Sequence, residues 1–164
     1  MNNNRVGQSN PLQLRIGTDV MKQDIVLVCR KTEHTIHVCD FLRDHHIDSA
    51  IIEDAVDLWA GLSSCNPAFL LLDFSNKGNE ILFSRLSISA MRPLPYIIIA
   101  DAFPNGAARA AVLNRGVDAC VETPLIADEV LAVINAVLRR EQRIARLKLG
   151  RTLTRIKHKE LVID

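Results

Sequence analysis

The residues that could carry chemistry lie where buried strands are expected to end. Asp73 falls at the end of the apolar segment "PAFLLLDF" (67–74), which a proline introduces. Pairs at comparable positions after other apolar segments are Cys29/Arg30, Ala100/Asp101 and Glu122/Thr123. A carboxylate there is either a local cap for the following turn or the centre of a functional site. The sequence therefore directs attention to Asp73 and to the strand ends that would surround it.

Two other groups of side chains have residue types that bind metals or react with oxidants. His34 and His37 are spaced i, i+3 with Cys39 nearby, but no fourth ligand can be placed, so we favour an exposed histidine pair. Cys29 beside Arg30 is either a thiol with a lowered pKa or a buried, inert thiol, and we favour the second. The four cysteines form no C-x-x-C pair and lie in apolar segments, which is typical of reduced cysteines in a cytoplasmic protein.

Five apolar segments alternate strictly with five amphipathic ones. Strands are predicted over 24–29, 48–54, 69–74, 94–101 and 117–122, and helices over 33–47, 55–65, 79–91, 105–116 and 126–149. The strand segments are continuously apolar rather than alternating, so helices must cover both faces of the sheet. This predicts an α/β fold with a doubly wound, five-stranded parallel sheet. In such sheets, sites lie at the carboxyl ends of the strands.

Composition divides the chain into unequal parts. Residues 1–22 are polar without a sustained period and predict a flexible tail before a domain over 23–140. Residues 1–138 carry 11 basic and 16 acidic side chains, whereas residues 139–164 carry nine and three. We interpret 141–164 as a basic helical extension, a linker or the start of an output domain. No apolar stretch approaches the roughly 18 residues that span a bilayer, so no membrane partner is expected.

From residue 24 to about 140 the sequence resembles the receiver domain of bacterial response regulators, a flavodoxin-like fold. "PAFLLLDF" is similar to the family's third strand, whose terminal Asp accepts a phosphoryl group. "LPYIIIADA" is similar to its fourth strand, and "NRGVDACVETPL" to its helix–Gly–strand–x-Pro ending. The resemblance implies that Asp73 stands at the phosphoacceptor position.

Four positions depart from the pattern that the resemblance implies. Cys29 and Arg30 replace the two acids that hold Mg²⁺, Ala100 replaces a Ser or Thr, and Thr123 replaces a Lys. Phosphoryl transfer to a carboxylate needs a cation at the transferred group, and a Cys/Arg pair is a poor Mg²⁺ ligand set. We therefore expect a pseudo-receiver with no metal and no cofactor. Asp73 would cap the following loop or pair with Arg30.

The predicted function is a non-catalytic, cytoplasmic signalling module that acts by protein–protein contact. Relatives of this type dimerise through a face that corresponds here to 105–138, and the expected partner-face residues are Ala108, Val112, Arg115, Val130, Ile134 and Val137. Another signalling protein or an attached output domain is the other expected partner. Two alternatives stay open: a true phosphoacceptor using Asp73, and a regulator that binds nucleic acid through the basic segment 139–159.

Overall fold

The computed structural model describes residues 24–56, 58, 59, 62, 67–88 and 94–160, with side chains as far as 148. The strands are β1 (Ile25–Val28), β2 (Ser49–Ile52), β3 (Phe69–Asp73), β4 (Tyr96–Asp101) and β5 (Ala119–Glu122). The helices are α1 (Glu33–Asp44), α2 (Lys77–Ile88), α3 (Gly106–Asn114) and α4 (Ala127–Glu160). The described positions between 55 and 62 are helical as well. Alternation of strands with helices follows the predicted order.

All five strands form one parallel sheet in the order β2-β1-β3-β4-β5. Every side chain of β1 is fully buried, as are Leu70, Leu71 and Leu72 of β3. Central strands buried on both faces explain why the sequence shows continuous apolar runs instead of alternation. The predicted fold class is confirmed. Because the chain leaves β1 toward β2 on one side and returns to β3 on the other, the carboxyl ends of β1 and β3 meet at the switch in strand order.

Local sequence signals set the ends of α1 and α3. Thr32 and Thr35 form a reciprocal capping box at the start of α1, and Asn105 Oδ1 accepts the backbone N–H of Ala108 at the start of α3. Gly116 has φ 92°, a conformation that glycine adopts without a Cβ clash, so it stops α3 as predicted.

The acid that follows Gly116 has a structural role. Asp118 Oδ2 accepts the backbone N–H of Ile97 at 2.8 Å, which ties the start of β5 to β4. In the Gly-x-Asp part of "NRGVDACVETPL", the glycine therefore ends a helix and the aspartate accepts a hydrogen bond from the neighbouring strand.

One core cluster joins the sheet to the helices beside it. It includes Val26, Leu72 and Ile99 from the strands and Leu82, Phe83 and Leu86 from α2. Ala55, Leu58 and Leu62, at helical i, i+3, i+7 spacing, are buried in the same cluster. These residues bring the helical positions after β2 and the α2 helix together on the sheet.

The last helix is longer than predicted. α4 runs for 34 residues to Glu160 and continues through Gly150, where the sequence predicted an interruption after Leu149. A single glycine costs only about 1 kcal/mol in a helix, so strong helix formers on either side can keep the helix continuous. The structure divides into two compact units after Ala127, and α4 from Asp128 belongs to the second.

Some sequence predictions fall outside the described residues, namely the tail over 1–22, Cys65 and the final segment 161–164. The other three cysteines, Cys29, Cys39 and Cys120, are buried free thiols. None of the helices that the structure describes is both long enough and apolar enough to cross a bilayer.

Candidate functional site

Asp73 is the last residue of β3 and lies half-buried at the carboxyl edge of the sheet. Its register partner on β4 is Ala100, and the backbone N–H of Phe74 donates to Ala100 O at 2.9 Å. Asp73 Oδ1 accepts the backbone N–H of Ser75 at 2.9 Å. This carboxylate therefore caps the loop that leads into α2, which is one of the two structural roles expected for it.

Cys29 follows β1 directly and is 1% exposed. Burial raises the pKa of its thiol to about 12, and the nearby Asp73 carboxylate raises the pKa further in the same direction. A thiol whose pKa is raised in this way is protonated at neutral pH, so it is a slow nucleophile. The favoured interpretation of Cys29 as an inert buried thiol agrees with this environment.

Arg30 is exposed and lines one cavity of about 350 Å³ together with Asp73. The same cavity is lined by Glu53, Ser75, Asn76 and Lys77. Among the residues that the structure describes, no ion pair or hydrogen bond joins Arg30 to Asp73. The two groups share a cavity but form no pair, so the structure shows the capping role and not the pairing with Arg30, the other role expected for Asp73.

Lys77, the first residue of α2, contributes a cation to this cavity that sequence reasoning did not assign. The residue at the position that the family fills with lysine, Thr123, is half-buried, and its backbone N–H donates to Asp101 O at 3.2 Å. Its peptide bond to Pro124 is cis. The cationic side of the cavity thus comes from β1 and α2 rather than from β5.

Asn79 is the site residue that sequence reasoning missed. It is fully buried, and its Nδ2 donates to Val28 O at 2.6 Å and to Asp73 O at 2.8 Å. Its Oδ1 is buried without a hydrogen-bond partner. The residue joins the carboxyl ends of β1 and β3 to the first turn of α2. The available signal was a polar side chain on the apolar face of the predicted helix 79–91, with Leu82, Phe83 and Leu86.

The donor set at this edge does not fit Mg²⁺. A magnesium ion requires near-octahedral oxygen ligands, and the two positions after β1 offer a protonated thiol and a guanidinium. Ala100 has no side-chain oxygen, one oxygen of Asp73 accepts Ser75 N–H, and one oxygen of Glu53, the other carboxylate of the cavity, accepts Lys31 N–H. Within the described part of the chain, no three His, Cys, Asp or Glu side chains are grouped as a metal site would require. His34 and His37 are exposed on α1.

The expected partner-face residues divide into two sets. On α3 and just after it, Ala108 and Val112 are half-buried and Arg115 is exposed. On α4, Val130 is 0%, Ile134 1% and Val137 8% exposed. These three side chains are buried, whereas the three on α3 and just after it keep part of their surface exposed.

Arg115 has contacts within its own unit. Its guanidinium carbon lies 4.9 Å from the ring centre of Phe83 and 5.7 Å from that of Phe74. Its Nη1 lies 3.2 Å from Glu80 Oε1. The residue therefore links the end of α3 to α2 and to the position next to Asp73.

No protein-family model and no curated protein matches the sequence. Solved structures match its fold. The signal receiver domain of a Vibrio parahaemolyticus protein described as a LuxO repressor superposes with a TM-score of 0.64 at 18% identity, over 76% of this chain and 96% of that one. The pseudo-receiver domain of CikA gives a TM-score of 0.54 at 17% identity, over 71% and 97%.

A longer chain contains the same fold. NtrX from Brucella abortus, solved in complex with ADP, gives a TM-score of 0.62 at 20% identity over 80% of this chain but only 29% of its own. The chain thus has the fold of response-regulator receiver domains, as the sequence resemblance predicted.

Proposed function

We propose that this protein is a pseudo-receiver, a non-catalytic signalling module that acts through protein–protein contact without Mg²⁺-dependent phosphorylation. The observation that carries the proposal is the pair of residues after β1. Cys29 is a buried thiol with a pKa raised to about 12, and Arg30 is an exposed cation in the Asp73 cavity. Neither can hold a metal next to Asp73, and phosphoryl transfer depends on that charge.

The charges of the cavity come from its own side chains rather than from a bound metal. Arg30 and Lys77 supply cations, and Asp73 and Glu53 supply carboxylates. Asp73 Oδ1 accepts the backbone N–H of Ser75, which ties this carboxylate to the loop before α2. These contacts support a module whose binding surface does not depend on phosphorylation of Asp73.

The test is intact-mass analysis after incubation with acetyl phosphate and Mg²⁺, with Asp73→Asn as the matched control. We expect neither protein to gain the mass of a phosphoryl group, about 80 Da. We also expect no Mg²⁺-dependent change in Trp59 fluorescence. Stoichiometric addition that Asp73→Asn abolishes would establish the alternative, a phosphoacceptor receiver of a two-component system.

Homodimerisation, cytoplasmic location and an attached output domain belong to the same proposal. Three buried free thiols support a reducing compartment. The NtrX comparison, in which the matched fold occupies 29% of a longer chain, supports a role as one module of a larger regulator.

A second function is favoured by one observation, the uninterrupted course of α4 to Glu160. A continuous helix carries the nine basic residues of 139–159, which could contact phosphates. Duplex DNA binding should be compared for chains that end at 138 and at 164, at two salt concentrations. Binding that is lost on truncation and falls about tenfold for a twofold to threefold rise in salt would favour a nucleic-acid regulator.

A further inference from the structure

An apolar groove lies between the helical positions that follow β2 and helix α2. We call it the α2 groove. Its walls include Val56, Trp59, Ile81 and Leu82, and its cavity volume is about 480 Å³. It is separate from the Asp73 cavity, although Glu53 and Asn76 border both. Nothing in the proposed pseudo-receiver chemistry uses this groove.

The groove exposes large apolar side chains to solvent. Val56 is 69% exposed and Ile81 is 59% exposed, and they stand on the two opposite walls. Ile88, one heptad after Ile81 on α2, is 86% exposed. The single tryptophan of the chain, Trp59, is half-buried between these walls. Contiguous exposed apolar side chains around a half-buried tryptophan are typical of a protein–protein contact.

The charges of the groove are separated along its length. The two walls come close together at Gly78 and Ala55, where a Cβ added to Gly78 would lie 3.8 Å from Ala55 Cβ. Glu53 and Asp54, which directly precede Ala55, line this end of the groove. Arg85 lies seven residues further along α2 than Gly78, about 10 Å away at 1.5 Å per residue. The side chain of Arg85 forms no ion pair or hydrogen bond with any residue in the described ranges. The groove therefore has an acidic end and a basic end.

A surface with opposite charges at its two ends is complementary to itself when it is turned by 180°. We propose that the α2 groove is the homodimer interface, occupied by the same groove of a second copy. A two-fold axis near Ile81 runs the two α2 helices antiparallel and packs Ile81, Val56 and Trp59 against their symmetry copies. The same rotation places Arg85 of each copy opposite Glu53 and Asp54 of the other.

This inference rests on the homodimer part of the proposed function and names its surface. It places the homodimer contact on a different surface from the face expected over 105–138, which stays a separate prediction. A second copy is the proposed occupant because the groove has apolar side chains at its centre and charges of opposite sign at its ends. In a two-fold symmetric contact the apolar centres pack together, and each acidic end meets the basic end of the other copy.

The first test is sedimentation velocity on the full chain over a hundredfold range of concentration. We expect a dimer whose dissociation constant rises at least tenfold in Ile81→Glu and in Val56→Glu. Matched controls are Leu113→Glu on α3 and Ile36→Glu on α1, which are 41% and 39% exposed and lie outside the groove. Circular dichroism checks that each variant keeps the fold. Trp59 emission should shift to longer wavelength on dilution of the unmodified chain.

The second test exchanges charges. Arg85→Glu and Glu53→Arg should each weaken the dimer, and the double variant Arg85→Glu with Glu53→Arg should recover at least half of the lost affinity in logarithmic terms. A dimer that persists in Ile81→Glu, or a double variant weaker than both single ones, would overturn the groove assignment and leave homodimerisation standing. A chain that stays monomeric throughout would overturn both, while the acetyl phosphate experiment still decides the pseudo-receiver chemistry independently.

Discussion

Asn79 and Val28 stand 51 residues apart in the chain, yet the Asn79 amide nitrogen lies 2.6 Å from the Val28 carbonyl oxygen. The same amide donates to Asp73 O at 2.8 Å. One side chain of α2 therefore fixes the spacing of the two strand ends that form the candidate site. Because Asn79 is fully buried, its hydrogen bonds are shielded from competing water.

Replacement of Asn79 by alanine should destabilise the protein by about 2–4 kcal/mol, because one buried and one part-buried hydrogen bond are lost at once. Urea unfolding at neutral pH gives the free energy of unfolding. The matched control is Asn76→Ala three residues earlier, where the exposed side chain accepts only the Gly78 N–H. That change should cost about 1 kcal/mol or less. Equal losses for the two variants would show that the Asn79 bridge is not a structural link.

Arg30 and Asp73 should contribute independently to stability, since the structure forms no ion pair between them. We expect Arg30→Ala to change the free energy of unfolding by no more than about 0.5 kcal/mol, as at other exposed, unpaired positions. The double variant Arg30→Ala with Asp73→Ala should equal the sum of the single effects within about 0.5 kcal/mol. A coupling energy above about 1 kcal/mol would instead show the paired geometry that the sequence suggested.

Arg115 should stabilise the chain mainly through its contacts with two aromatic rings. Its guanidinium lies over Phe83 and Phe74, while its ion pair with Glu80 is exposed and therefore weak. Arg115→Ala should cost about 1–2 kcal/mol and Glu80→Ala less than about 0.5 kcal/mol. Arg115→Lys keeps the charge but not the planar group, so an intermediate loss is expected. Equal losses for Arg115→Ala and Glu80→Ala would assign the effect to the ion pair.

Cys29 should make the protein less stable at alkaline pH. Burial raises the pKa of the folded thiol from 9.0 to about 12. Between these two values the unfolded chain releases the thiol proton while the folded chain keeps it, so the free energy of unfolding falls as pH rises. Its full contribution is present below pH 9. The slope for one thiol is at most about 1.4 kcal/mol per pH unit.

The measurement is urea unfolding at several pH values from 8 to 11, for the unmodified chain and for Cys29→Ala. Burial also raises the pKa values of Cys39 and Cys120, so the variant should keep part of the slope. We expect a shallower decline in Cys29→Ala and no alkylation of Cys29 by iodoacetamide in the folded chain at pH 8. Identical pH profiles, or rapid alkylation, would contradict the buried, protonated state.

The sequence by itself determined the sheet and its order of elements. Continuous apolar runs over β1, β3 and β4 required burial on both faces, and prolines and a glycine marked where elements begin and end. Asp73 could be found in the same way, because the end of a buried strand is a local feature of the chain. The presence of Cys29 and Arg30, where the resemblance to receiver domains implies two acids, could likewise be seen in the sequence.

Only the tertiary structure decided which side chains meet at that edge. Asn79 and Lys77 belong to α2, and their approach to β1 depends on how the helix packs on the sheet rather than on any short motif. The sequence likewise does not distinguish buried from exposed apolar residues on helices. Val130 and Ile134 are buried and Ile81 and Val56 are exposed, yet all four are apolar residues at helical spacing. Periodicity shows that a helix has an apolar face, but the fold decides which of its apolar side chains are buried and which stay exposed.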